Sequence, residues 1–408
     1  KIIEEFFIIL KEKPIYKKVL ILTWALMPFI MMISKSLTDL FIVVISISFM
    51  VFSVIKFSWK WLNSNWVRMA ILFFLISIIS AYFSHMPSKS ISNGIGWIRF
   101  PLFAVAISYW LIRDKEVLYF SLFLNFFALI LIFFLMGFES LLVNNNTYEW
   151  PFRNPLNGPF IHRIGIIFFV FALLILFSDL NYKLTASLFL VLSFFFSLLT
   201  GHRVGNFSFI IMLTILCFWP IYNFKRFLII FLSFCFFLTL YFSFNYDKLD
   251  RYLFDIYNLT NSSLLQYIGL WKTGIIVFVD NFFLGIGPTN VQNYLAENLI
   301  INFDPYKNSE HPHNHFIQAF AETGFIGGII YCLMVYHIIL KIFKSAEVST
   351  YNTNWPLPQS AFIASICLLW PFANTHDLFG QQQNAFLWYC LSIYLVIAKI
   401  NFSYSKIK

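Results

Sequence analysis

The sequence has 408 residues, of which 60% are hydrophobic and only 12% are charged, and its net charge is +9 at pH 7. Soluble domains carry about 25% charged residues, so this composition excludes a soluble globular protein and predicts an integral membrane protein. A basic net charge can indicate nucleic-acid binding, but the positions of the Lys and Arg residues along this chain indicate a membrane-topology signal, and no nucleic-acid partner is expected.

Twelve apolar runs are long enough to cross a bilayer, which takes about 20 residues per helix. In chain order they lie near 19–35, 38–55, 67–84, 97–112, 117–137, 163–179, 184–200, 205–222, 227–245, 315–340, 359–374 and 384–400. The predicted fold class is therefore all-α, a polytopic membrane protein with one integral membrane domain over residues 1–408. The five cysteines fall inside apolar runs, which is typical of small buried side chains.

The basic residues are shared unequally between the two sides of the predicted membrane domain. If the spans alternate, 18 of the 28 Lys and Arg residues fall on the side of the two termini, mostly in short loops and tails. Because cytoplasmic loops are enriched in Lys and Arg, both termini are predicted to be cytoplasmic.

The outward side carries one large loop, 246–314, which is predicted to have structure of its own. It contains an apolar, helix-like run from Ser262 to Asp280 and a turn-rich element from Leu284 to Asn290. Long structured loops in compact proteins tend to be functional. We expect its helices to lie flat on the outer membrane surface, over a cavity.

Arg203 lies between two apolar runs that are separated by almost no loop. A guanidinium at that depth is costly unless it pairs or lines a wet cavity, so Arg203 is a candidate functional residue. The planar arrangement of N–H groups in a guanidinium also matches the geometry of phosphate oxygens. The alternative is an arginine that extends its side chain to the membrane interface.

A polar cluster, residues 311–315, opens the apolar run that continues to residue 328. Pro312 suits the first turn of a helix, which would place His313 and Asn314 at the helix N-terminus. The positive end of a helix dipole keeps an imidazole neutral, and the free N–H groups there bind anions. His313 is thus predicted to accept a proton; the alternative is an interfacial histidine.

Neighbouring polar residues carry weaker indications. His311 and His315 would not share a helical face with His313, and no metal site is predicted. Glu322 is expected to face the bundle interior and to pair, for structure or for function. Asp377, in the last outward loop, is a candidate to orient a histidine or bind a sugar hydroxyl, or is simply solvated.

Two glycines of the same run, Gly324 and Gly328, have the spacing of a small-residue face. This spacing is typical of tight packing between membrane helices, and packing is the role that we expect for both.

His313-Asn314, followed after nine residues by Gly-x-x-Gly at 324–327, resembles the signature of the O-antigen ligase and polymerase superfamily. Arg203 in a short outward loop, the Gly-Ile-Gly-Pro element at 285–288, and a large outward loop before the motif support the resemblance. The resemblance implies a glycosyltransferase of the GT-C type, independent of metals and cofactors, in the bacterial inner membrane with its active site in the periplasm.

The resemblance also implies substrates and roles. The donor would be a glycan on undecaprenyl diphosphate, and the acceptor either the lipid A core, for a ligase, or another lipid-linked glycan, for a polymerase. Arg203 would contact the diphosphate and His313 would be catalytic, with Asn314 and Asp377 in substrate binding. The family commonly has an arginine four residues before the tryptophan of the large loop, and residues 266–270 contain none.

The second positive charge would then come from Arg251 or Lys272. We favour a ligase over a polymerase, on the short loop with Arg203 and the polar group around Asp377. Protein O-oligosaccharyltransferases are a third branch of the superfamily. A lipid-glycan transporter is the alternative outside enzymes, although transporters often contain internal repeats and none is clear here.

Overall fold

A computed structural model describes residues 2–142, 151–152, 156–177, 181–200, 202–218, 263–297, 311–350 and 356–405, together with 228 and 232. The first helices are α1 (Ile2–Glu12), α2 (Ile15–Ala25), α3 (Met27–Ile33), α4 (Lys35–Ile55), α5 (Asn65–Tyr82), α6 (Pro87–Trp97), α7 (Arg99–Val105) and α8 (Lys115–Leu142). They are followed by α9 (Asn157–Ile164), α10 (Ile166–Phe177), α11 (Lys183–Leu199) and α12 (Arg203–Phe218). The last are α13 (Ser263–Asp280), α14 (Val291–Glu297), α15 (His315–Thr350), α16 (Leu357–Leu369) and α17 (Gln382–Ser405).

Some of the helices have the length and composition of membrane spans. Six described segments are long and apolar enough to cross a membrane, and up to eight if each of two bent pairs is one span. The bent pairs are α2 with α3, at 63°, and α9 with α10, at 48°. The all-helical, polytopic architecture predicted from the apolar runs is confirmed, and the run predicted at 227–245 lies outside the described residues apart from positions 228 and 232.

Aromatic side chains fill the interior of the bundle. Phe73 packs edge-on against Trp97 with ring centroids 4.9 Å apart, and both are buried. Aromatic pairs of this kind contribute about 0.5–1.5 kcal/mol beyond the area that they bury. Several serine hydroxyls inside the helices bond to the preceding turn, as where Ser77 donates to the carbonyl of Phe73 at 2.8 Å.

The bundle has two chemically different ends. The antiparallel helices α5 and α15 extend from one to the other. Ser80 donates to the carbonyl of Glu322 at 2.6 Å near one end, and Asn65 lines a cavity with Lys341 near the other. The second end also holds Lys399, which interacts electrostatically with Lys341. We call it the basic end, and the end with residues 311–315 the polar end.

Candidate functional site at the polar end

The helix that carries the motif begins at His315, not at Pro312 as predicted. The reason is the side chain of Asn314, whose Oδ1 accepts hydrogen bonds from the N–H groups of Phe316 at 3.0 Å and Ile317 at 3.2 Å. Asn314 is therefore the N-cap. His313 has a φ of 53°, which takes it out of the helical path.

His313 is half-buried just outside the membrane segment. Its Nδ1 lies 3.1 Å from the carbonyl oxygen of His311, and the two imidazole rings stack at 4.4 Å. With Nδ1–H donating to that carbonyl, Nε2 is the nitrogen that can take up a proton. Burial, and then the neighbouring His311, lower the pKa of His313. The imidazole is thus neutral at pH 7 and competent as a base.

The segment 370–381, which connects α16 to α17, meets the motif at two points. The Nε2 of His311 lies 3.2 Å from the carbonyl of Thr375. Deeper in, Gln318 donates to Asp377 at 2.6 Å and accepts from the N–H of Leu378 at 2.9 Å. Asp377 is therefore held by an amide rather than by a histidine.

Gln318 also joins Asp377 to the buried carboxyl group of Glu322. The Nε2 of Gln318 lies 3.1 Å from Oε2 of Glu322, and both side chains are completely buried. The expectation that Glu322 faces the interior and pairs is confirmed.

A turn at residues 282–287 packs on the motif helix at Gly324. The N–H of Gly287 donates to the carbonyl of Glu322 at 2.9 Å, and that of Phe325 to Phe282 at 2.8 Å. Gly324 has φ 69° and ψ −172°, so α15 is broken there. Gly324 and Gly328 therefore do not form one continuous small-residue face, but Gly324 does pack closely, against the backbone of Phe283 and Leu284. The break instead gives the turn access to the helix backbone.

Sequence reasoning missed the central cation, Arg163, which it counted only among the outward charges. Arg163 lies in α9 and is buried. It donates to the carbonyl of Gln383 at 2.8 Å and to its Oε1 at 3.0 Å, and Asn374 accepts at 3.5 Å. None of the ion pairs within the described ranges involves Arg163.

A second histidine completes the surroundings of Arg163. The Nδ1 of His376 lies 2.9 Å from the guanidinium, which never deprotonates, so this nitrogen must accept. Burial, then His315 and Arg163, lower the pKa of His376, consistent with a neutral ring. His376 also packs edge-on against His315 at 4.3 Å. His315 thus packs against a neighbour of Arg163 rather than standing apart from the site.

Arg203 begins α12 beside a narrow cleft. The cleft is lined by His202, Arg163, Asn374 and Thr375, among others. Burial, and then Arg163, lower the pKa of His202 to about 4. Arg203 is the next residue in the chain, but the position of its side chain, like the whole of Arg251, lies outside the described residues.

Helix α13 reaches the same region. Trp271 packs against Phe372 of the segment 370–381 with ring centroids 4.8 Å apart. The ring of Tyr267, four residues earlier, lies 5.8 Å from that of His313. The position where the family pattern has an arginine is therefore next to the predicted base, and Lys272 has an exposed side chain.

The geometry joins two of the predicted residues and adds one. His313 stacks on His311, whose Nε2 lies 3.2 Å from the carbonyl of Thr375 in the segment 370–381. Asp377 belongs to the same segment, and Arg163 contacts it at Asn374. The signal for Arg163 was present, because an arginine at the edge of an apolar run is costly unless it has a role. Its partners are more than 200 positions away in the chain, which hid the cluster.

These features define a polytopic helical membrane protein with a histidine-rich, cationic site at one end of its bundle. Residues 188–332, about a third of the chain, match the family described as O-antigen ligase. The match contains Arg203, His313 and Gly324, and it confirms the resemblance to the O-antigen ligase and polymerase superfamily. Members of this family are ligases and polymerases that resemble glycosyltransferases. No curated protein matches the sequence.

Proposed function

We propose that this protein is an O-antigen ligase. It transfers a glycan from undecaprenyl diphosphate to the lipid A core, in the periplasm and without a metal. The observation that carries the proposal is the half-buried His313, whose Nδ1 faces a carbonyl and whose Nε2 is left to accept a proton. The family match supports the class of reaction.

The proposed chemistry is a direct displacement at the anomeric carbon of the donor. A hydroxyl oxygen of the acceptor bonds to that carbon while its bond to the diphosphate oxygen breaks. The proton of the hydroxyl passes to Nε2 of His313, and undecaprenyl diphosphate leaves with the bonding electron pair. The anomeric centre is inverted. A positioned base contributes about 100- to 10,000-fold to such a rate.

Cations are proposed to stabilise the departing diphosphate. Arg203 is the first, as the family pattern implies, and it begins the helix beside the cleft. Arg163 is a further candidate, because it lines that cleft without a carboxylate partner in the described part of the chain. Arg251 and Lys272 remain alternatives for the second charge. Charges aimed at a developing anion in a water-poor site contribute several kcal/mol.

The remaining assignments follow from this scheme. Asp377, fixed by Gln318, is proposed to contact a sugar hydroxyl, whereas the amide oxygen of Asn314 is occupied as an N-cap.

We also propose twelve spans, a GT-C-type fold, residues 246–314 as a large periplasmic loop with helices on the membrane surface, and cytoplasmic termini in the inner membrane. The clustering of Lys13, Lys17 and Arg113, and of Lys399 with Lys341, supports this orientation.

Deletion of the gene, followed by gel analysis of lipopolysaccharide, tests the proposal. Lipid A core without polymer, together with undecaprenyl-linked polymer, is the result expected for a ligase. Core that carries a single repeat unit would instead identify a polymerase, the alternative within the family. Unchanged lipopolysaccharide would contradict both. Arg203→Ala should weaken the use of donor more than the use of acceptor, and equal losses would contradict its phosphate role.

A lipid-glycan transporter is the alternative outside enzymes. The polar residues of the site converge on one end of the bundle, around residues 370–381, which favours an enzyme that opens to one side. A transporter would move lipid-linked glycan across vesicles without forming a new glycosidic bond. A glycan-transfer assay on purified protein distinguishes the two.

A further inference from the structure

A second polar cavity lies at the basic end of the bundle, opposite the candidate active site. Its volume is about 260 Å³, and it opens between the first turn of α5 and the later part of α15. The side chains that matter are Ser64, Asn65, Trp66, His337, Lys341 and Lys344. None of them takes part in the proposed transfer reaction.

The cavity has an excess of positive charge. His337, Lys341 and Lys344 are spaced by four and three residues, so they lie on one face of α15. Among the described residues, no Asp or Glu lines the cavity. Neither lysine forms an ion pair with any residue in the described ranges. The face therefore presents two ammonium groups to the cavity without a protein anion to balance them.

The N-terminus of α5, which is the positive end of its helix dipole, also lies at the cavity. This helix has 18 residues, and the side chain of its N-cap, Ser64, makes no capping hydrogen bond. The first N–H groups of a helix have no partner within the helix, and its dipole favours an anion there. Asn65, the first helical residue, lines the cavity.

The cavity lining also includes a buried indole. Trp66 is only 2% exposed, and its Nε1 has no hydrogen-bond partner in the described structure. Indole N–H groups that are buried usually find an acceptor. Because Trp66 lines the cavity, an oxygen-rich anion bound there would lie next to its side chain.

We propose that this cavity binds the phosphate group of an anionic phospholipid. The neighbouring surfaces favour a lipid over a soluble anion, since α5 and α15 expose Leu72, Leu333 and Tyr336 at 42%, 41% and 56%. These side chains give the acyl chains an apolar surface beside the headgroup. Basic pockets between membrane helices bind such headgroups. The site is independent of the transfer chemistry.

The test is lipid binding by the purified full-length protein in detergent, measured by native mass spectrometry and by titration with phosphatidylglycerol. The wild type should bind phosphatidylglycerol more tightly than phosphatidylcholine. The double variant Lys341→Gln/Lys344→Gln should bind it about 30-fold more weakly, because each basic residue near a headgroup contributes on the order of a fivefold change. The charge-retaining variant Lys341→Arg/Lys344→Arg should keep most of the affinity.

The matched control is Lys11→Gln/Lys56→Gln, which removes two exposed lysines that do not line the cavity. This control should bind phosphatidylglycerol as the wild type does. Equal losses in the two Gln variants would overturn the proposal, because they would indicate general attraction to a basic protein. Displacement of the lipid by millimolar inorganic phosphate would identify a soluble anion as the ligand, and it would overturn the lipid assignment.

Discussion

Substitution of Gly324 by alanine should be far more damaging than its small size suggests. The φ of 69° and ψ of −172° belong to a region that only glycine adopts readily, at a cost of about 1–3 kcal/mol for other residues. A Cβ at this position would also overlap the backbone of Phe283 and meet the N atom of Leu284 at 2.7 Å. Since a backbone cannot rotate away as a side chain can, the loop must shift. The expected total cost is about 3 kcal/mol or more.

The measurement is the apparent melting temperature of the purified protein in detergent, with glycan transfer measured in parallel. Gly137→Ala is the matched control, because Gly137 lies inside α8 and a Cβ there meets only the ring of Phe196 at 3.9 Å. Alanine in a helix interior is favoured over glycine by roughly 0.5–1 kcal/mol, so this control should be neutral or stabilising. Gly324→Ala with the stability and transfer rate of the control would refute the reasoning.

Three other predictions concern the chemistry of the site. The rate of transfer should be constant at neutral pH and fall as acid protonates His313. The midpoint should lie below the ordinary histidine value of 6.5, because burial and His311 lower the pKa of His313. His311→Ala should move that midpoint to higher pH, and a wild-type midpoint above 6.5 would contradict the assignment. Arg163→Gln should lower the apparent melting temperature and abolish transfer, because Arg163 donates hydrogen bonds to Gln383, Asn374 and His376. Hydrogen bonds to a charged group contribute about 1.5–3 kcal/mol each. A variant with wild-type stability would show that this network is dispensable. Gln318→Glu should reduce transfer more than Gln318→Leu, because it places a third carboxyl group beside Glu322 and Asp377; the reverse order would mean that the amide only fills space.

Several long helices were predictable because apolar runs determine where helices can cross a membrane. The run predicted at 67–84 corresponds to α5, and the run at 117–137 to α8, with shifts of a few residues at each end. The start of α15 was not predictable from Pro312, because Pro is acceptable both in a first turn and before an N-cap. The side chain of Asn314 decides between them.

The site was predictable only in part, for a physical reason. His313 has a local signature, but the function of Gly324 depends on a turn that reaches it from residues 282–287. A glycine pair that is read along one helix looks like a packing face, and only the long-range contact shows the break. Arg163 is similar, since the atoms that hold it come from Asn374, His376 and Gln383.

Transfer by purified protein in proteoliposomes tests the central claim most directly. The membranes would contain undecaprenyl-diphosphate-linked glycan and lipid A core, and the initial rate of ligated product would be measured at pH 7.5. The wild type should form the product, His311→Ala should form it at a comparable rate, and His313→Ala should be slower by about 100- to 10,000-fold. Transfer by His313→Ala at the wild-type rate would contradict the role of His313 as the base, and absence of product with the wild type would contradict the ligase itself.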